Sequence, residues 1–160
     1  GIEYTYVYGA GEGKPHVARY PAGNVRGPWE YFNGDEWLDD PGQIRPMSDY
    51  DGSEQFSVFE NDGRFMMINQ EGFLSNRIYS FTSENPYGPW ENKTLIYETP
   101  IPDTTENLFT YNALAHPHLT EEGYLLVSYN MNTMVLEDHF RSAHIYRPRF
   151  IRVPLRMIDP

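Results

Sequence analysis

The tetrapeptide Gly-Pro-Trp-Glu occurs twice, at residues 27–30 and 88–91, and this repeat constrains the fold more than any other feature. Its surroundings repeat as well. A short alternating run and a polar turn precede each copy, HVARYPAGNVR before the first and RIYSFTSENPY before the second. Another extended run follows each, Tyr31-Phe32 and Leu95-Ile96-Tyr97. Read backwards from the second copy, four strands emerge. They are Phe56–Glu60, Arg64–Asn69, Arg77–Thr82 and Thr94–Tyr97, with Asn61-Asp62-Gly63 as a hairpin turn between the first two. Such a unit spans about 45 residues, the usual length of a four-stranded propeller blade.

The first unit aligns on the tetrapeptide. Tyr4–Tyr8 then matches Arg64–Asn69, and His16–Tyr20 matches Arg77–Thr82, so this unit begins one strand late. A third unit contains Tyr111–Leu119, a turn at 121–123, Tyr124–Asn130 and a strand within Ala143–Leu155. The expectation is an all-β chain of about ten strands in groups of three, four and three. The units cover about 1–40, 54–100 and 111–155, or two and a half to three four-stranded antiparallel blades of a partial propeller. Repeated hairpins also suit a sandwich or an open sheet. Segment 132–141 has the pattern of one helical turn, and 39–53 and 98–110 read as long loops.

Composition agrees with many short strands joined by turns. Aromatic residues make up 16% of the chain, and it holds 13 glycines and 13 prolines. Lys and Arg number 12 against 23 Asp and Glu, a net charge of −11. That balance argues against a nucleic-acid partner and an anionic membrane surface. There is no cysteine, which excludes disulfides, a thiol nucleophile and Cys-based zinc sites. No apolar run reaches the roughly 18 residues of a membrane span. No stretch has the layout of a signal peptide. Opening on Gly1-Ile2, the chain reads as a processed or trimmed piece.

The run SENPYGPWE between two strands resembles the outer strands of five-bladed propeller glycoside hydrolases of family 43, the arabinanases and β-xylosidases. YNALAHPHL, GYLLVSYNMN, IYRPRFIRVPL and VARYPAGNVRGPWEYFNGDEW resemble the C-terminal half of an uncharacterised bacterial propeller family with D-arabinan hydrolase relatives. The resemblance covers nearly the whole chain. It implies the second half of a five-bladed propeller, from a secreted or periplasmic glycoside hydrolase acting on an arabinan- or xylan-like polysaccharide. Related hydrolases carry at least one catalytic carboxylate on the N-terminal blades that this piece lacks. The alternative is a non-catalytic carbohydrate-binding or interaction module.

Glycoside hydrolysis needs two carboxyl groups about the scissile bond, roughly 5–5.5 Å apart for retention or 6.5–9.5 Å for inversion. Glu54, just before the first strand of unit two, and Glu71, just after its second, form the candidate catalytic pair. Each also reads as a solvated turn carboxylate. Propeller first strands line the central channel, which makes Asn112 and His116 candidate substrate-binding residues. Strand alternation puts Asn112, Leu114, His116 and His118 on one face. Tyr129 and Asn130 are further candidates, since aromatic rings stack on sugars while amides bond hydroxyls. Most tyrosines, however, should simply pack. Trp29 and Trp90 read as structural, and Trp37 as either.

His116-x-His118 has a spacing found in metal sites, but no third histidine lies near, and no metal is assigned. No cofactor is expected beyond a structural Ca²⁺ ion, for which 49–54 offers oxygen ligands without EF-hand spacing. The Gly-rich run 9–13 is followed by Pro15 and a strand rather than a helix, so it reads as a hairpin and not a phosphate loop. No Gly-x-Ser-x-Gly elbow is present. The expected partner is carbohydrate. Two open sheet edges imply a homo-oligomer or association with the missing N-terminal half.

Overall fold

The computed structural model describes residues 1–72, 74–101, 107–119 and 121–158. Three antiparallel sheets follow one another along the chain. The first holds β1 (Tyr4–Gly11), β2 (Lys14–Pro21), β3 (Glu30–Phe32) and β4 (Trp37–Leu38) in that order. The second holds β5 (Gly52–Asn61), β6 (Arg64–Glu71), β7 (Arg77–Ser83) and β8 (Glu91–Glu98), also in chain order. The third places β10 (Tyr124–Thr133) between β9 (Leu108–Ala115) and β11 (Pro148–Pro154). Two short helices, α1 (Leu136–Arg141) and α2 (Leu155–Ile158), and two 3₁₀ turns, Pro41–Gln43 and Pro117–Leu119, complete the described elements. The all-β expectation therefore holds.

Two tight hairpins have a clear local cause. Glu12-Gly13 and Asp62-Gly63 both adopt left-handed backbone, with φ of 52° and 76° and of 51° and 80°. Such paired positive angles match the twist of flanking strands, and glycine takes the second at no steric cost. The Gly-rich run 9–13 is thus the end of β1 and its turn. The strand that the sequence reading omits is β4. The Asn33 side chain accepts from the backbone N–H of Asp35 and of Glu36, at 3.0 and 2.9 Å, and folds Trp37 back onto Phe32. Asn33-Gly34 was the signal for that turn. Of the expected loop 98–110, residues 102–106 lie outside the described residues.

The second sheet is the middle layer. Along β6, Met66 and Ile68 enter one core with Ile78, Ile96, Ala113, Leu125, Val127 and Val153, between the second and third sheets. Met67 points the opposite way, into a second core with Val17, Phe32, Met47 and Phe81. This is why the strand reads as a continuous apolar run rather than an alternation. The connection from β4 to β5 is pinned to the first sheet. Arg45 N–H donates to Phe32 O, Met47 N–H to Pro15 O and Gly52 N–H to Gly13 O. Those bonds carry Met47 into the core.

The two Gly-Pro-Trp-Glu copies occupy equivalent places, each leading into the strand that pairs with β2 or with β7. Their local structures differ. Trp29 stacks on Tyr20 at 4.8 Å and donates to Val25 O, whereas Trp90 packs against the core between the first two sheets. Gly88 has φ of 96° and precedes a cis peptide to Pro89, features that the first copy does not share. The neighbour differs too, since Met47 O from the 39–51 connection lies against Gly88. Trp37 is structural, edge-on to Tyr6 and Tyr87 with Arg19 4.0 Å above its ring.

Met67 is 0% exposed, so Met67→Ala is expected to lower the unfolding free energy by about 2–5 kcal/mol. Leu95→Ala on the open side of β8 should stay within about 0.5 kcal/mol. Urea midpoints at constant slope check both.

Candidate functional site

The site at the third sheet begins with a backbone irregularity. In β9, Asn112 has a φ of 63°, a left-handed conformation that asparagine tolerates better than most residues. The register shifts there: Leu114 pairs with Ser128, but Tyr111 pairs with Asn130. The bulge gives β9 one extra residue opposite Tyr129. It overturns the simple alternation expected for this strand, because Tyr111 now shares the face of Leu114, Ser128 and Asn130.

That face holds a cleft of about 250 Å³. Tyr111, Asn112, Asn130, Tyr146 and Arg147 line it, with Met131 and Pro148 closing it. Tyr111 and Tyr146 are joined by a side-chain hydrogen bond, and Tyr111 also meets Asn132. Burial, with Tyr146 beside it, holds the Tyr111 hydroxyl above the ordinary tyrosine range, so it stays protonated at neutral pH. His139 from α1 contacts Asn132 Oδ1 through Nε2 at 2.7 Å and meets the Tyr146 ring edge-on. Asn112 Oδ1 is buried and has no partner among the described residues. Two rings, two amides and a guanidinium in one hollow form a surface suited to a hydroxyl-rich ring. A larger hollow of about 360 Å³ on the first sheet is lined mainly by Val7, Ala10, Val17, Ala18 and Ile44, with little polar chemistry beyond His16 and Tyr8.

Asn112 and Asn130 are thus brought together as candidates. The other candidates lie elsewhere. His116 follows the end of β9, which stops at Ala115. Its Nε2 meets Ser128 Oγ at 2.7 Å, and its ring lies 6.1 Å from Phe150. Four residues along a strand amount to roughly 13 Å, which separates it from Asn112. His118 sits exposed in a 3₁₀ turn, Pro117–Leu119, so the expected His-x-His pair on one strand face does not form. Tyr129 alternates away from Asn130 into the core, 3% exposed and 5.9 Å from the Tyr97 ring.

Glu54 lies within β5 rather than before it, because the strand begins at Gly52. It is exposed, in a stretch where the register shifts between Gly52 and Phe56. Glu71 is the last residue of β6, opposite Gly52, which leaves Glu54 two residues further along the neighbouring strand. The Glu71 carboxylate is oriented by Arg77 at 3.7 Å, Lys93 at 3.9 Å and the Ser75 hydroxyl at 3.3 Å. Lys93 also sits over the Tyr50 and Tyr79 rings, at 4.7 and 4.2 Å.

A buried polar bridge links this carboxylate to the cleft. Gln70, next to Glu71, sends its amide N–H to Thr110 O at 2.9 Å and to Thr110 Oγ1 at 3.2 Å. Thr110 in turn precedes Tyr111 and Asn112. Sequence reading missed Tyr111, Tyr146 and Arg147 as cleft residues. The Tyr-Arg-Pro-Arg run at 146–149 was their one visible signal. Among the described residues, no group of three or more His, Cys, Asp or Glu side chains is placed to hold a metal.

The model for the family described as "Domain of unknown function (DUF5005)" matches residues 2–155. The chain belongs to that family. It is also similar to a crystal structure from Bacteroides ovatus described as a "putative hydrolase", with 25% identity and a TM-score of 0.81. That match covers 94% of this chain and 41% of the other, so the chain spans about two-fifths of that structure's length. No curated protein matches the chain.

Burial, reinforced by Tyr97, pushes the Tyr129 hydroxyl up to about 12. In the unfolded chain a tyrosine titrates near 10. Between those values the unfolded chain has lost a proton that the fold retains, so the stabilisation is lost as pH rises. Tyr129→Phe is expected to flatten the fall in melting temperature between about pH 10 and 12. A thermal-melt series across that range checks it.

Proposed function

We propose that this chain is part of a five-bladed propeller glycoside hydrolase, its three sheets being blades and its cleft a sugar subsite. The observation that carries the reading is the convergence of Tyr111, Asn112, Asn130, Tyr146 and Arg147 in one hollow. The similarity to a structure described as a hydrolase supports it. The substrate proposed is an arabinan- or xylan-like polysaccharide, met outside the cytoplasm in a secreted or periplasmic protein. Glu71 and Glu54 are the proposed carboxyl pair. One protonates the leaving oxygen while the other activates water or attacks the anomeric carbon, through an oxocarbenium-like transition state.

A second reading, a non-catalytic sugar-binding module, has an observation of its own. Glu54 stands exposed on β5, and Glu71 is engaged by two cations. Reducing-sugar release from arabinan and xylan, beside calorimetric binding of their oligosaccharides, separates the two. Under the hydrolase reading, Glu71→Gln cuts release by about 10²–10⁴-fold while binding persists. Asn130→Ala weakens binding up to about tenfold, the loss of one hydrogen bond. Binding with no release from any substrate leaves the module reading.

The same reading supplies a partner, namely further blades of the longer fold. Beside the cleft, the third sheet's side exposes Phe140 at 84% and Phe150 at 58%. Apolar surface of this kind favours association. Sedimentation of the chain alone is expected to show self-association through that open side. A clean monomer at micromolar concentration speaks against it.

A further inference from the structure

We infer that the cleft on the third sheet is a subsite for an acidic sugar, a ring bearing a carboxylate, with Arg147 as its counter-ion. This rests on the sugar-binding reading of the same cleft. Three observations carry it. First, the charge around the cleft is opposite to that of the chain. The protein has a net charge of −11, yet residues 139–158 contain five arginines and no Asp or Glu. None of the cleft's lining residues is acidic.

Second, four of the arginines of that segment divide into two groups. Arg141 is paired with Asp138 at 3.7 Å and Arg152 with Glu121 at 2.8 Å. No carboxylate pairs with Arg147 or Arg149 among the described residues. Arg147 is exposed, and its Nη1 contacts His144 Nδ1 at 3.2 Å. Arg149 reaches Met131 Sδ and His144 O through Nη2, while its Nε is buried without a partner. One uncompensated guanidinium thus lines the cleft, and a second touches the methionine that closes it. Arg147 is exposed and Arg149 half-buried, and a guanidinium without a carboxylate favours an anionic ligand, most strongly where it is withdrawn from water.

Third, the geometry fits a small charged ring. Guanidinium presents a planar fork that matches a carboxylate, while the Asn130 amide and the tyrosine hydroxyls serve ring hydroxyls. At about 250 Å³ the hollow is smaller than the roughly 300–1,000 Å³ of drug-sized pockets, so it suits one ring rather than a long segment.

The test compares oligogalacturonate and glucuronic-acid-substituted xylo-oligosaccharides with neutral xylo- and arabino-oligosaccharides of equal length, by calorimetry. The acidic ligands are expected to bind at least tenfold more tightly. That preference should shrink several-fold at about 0.5 M salt, where surface charges are screened. Arg147→Gln is expected to abolish the preference for acidic over neutral ligands, and Arg147→Lys to restore part of it. Far-UV circular dichroism of each variant confirms the fold. Equal binding of acidic and neutral ligands overturns the inference but leaves the sugar-binding reading standing. A preference that survives in Arg147→Gln overturns it as well. Failure of every sugar to bind overturns both.

Discussion

The contact between Gln70 and Thr110 holds the candidate residues of two sheets in one frame. Gln70 is fully buried, and its amide meets both the backbone carbonyl and the hydroxyl of Thr110 while also reaching Ser75 O. Thr110 Oγ1 lies 2.7 Å from Thr99 Oγ1, and the Thr99 hydroxyl donates to Asn76 O. Buried polar groups are costly unless bonded, so such a network resists sliding as an apolar contact does not. Glu71 follows Gln70, and Tyr111 follows Thr110. One bridge therefore sets where the oriented carboxylate stands relative to the cleft.

The cleft itself depends on one residue out of register. Without the left-handed turn at Asn112, simple alternation would leave Tyr111 on the face opposite Asn130. The bulge turns it to the cleft side, where it meets Tyr146. The approach to β11, beyond α1, then delivers Tyr146 and Arg147 to the same hollow. The charge there follows from the sequence around it. The chain places five arginines over residues 139–158, and among the described residues Arg147 and Arg149 beside the cleft have no carboxylate.

Much of the fold was legible because local rules decided it. Asp62-Gly63 forced a hairpin, and the matched flanks of Gly-Pro-Trp-Glu located equivalent strands. The weak helical pattern at 132–141 became α1 over Leu136–Arg141. What local rules do not carry is the setting of a repeat. The two tetrapeptides share their residues, yet Trp90 packs against a core and Trp29 stacks on Tyr20, and at the second copy Met47 O of the 39–51 connection lies against Gly88.

Strand identity, hairpin turns, the all-β class and the pool of candidate side chains were determined by the sequence alone, through periodicity and turn chemistry that act over a few residues. Which candidates meet was decided only by tertiary structure. Asn112 and Asn130 share a cleft, Tyr129 is turned into the core, and His116 is drawn off to Ser128. The physical reason is that a one-residue change of register reverses every face beyond it. The choice at Asn112 depends on the strand opposite and on the buried bridge from Gln70, contacts that no short stretch of sequence contains.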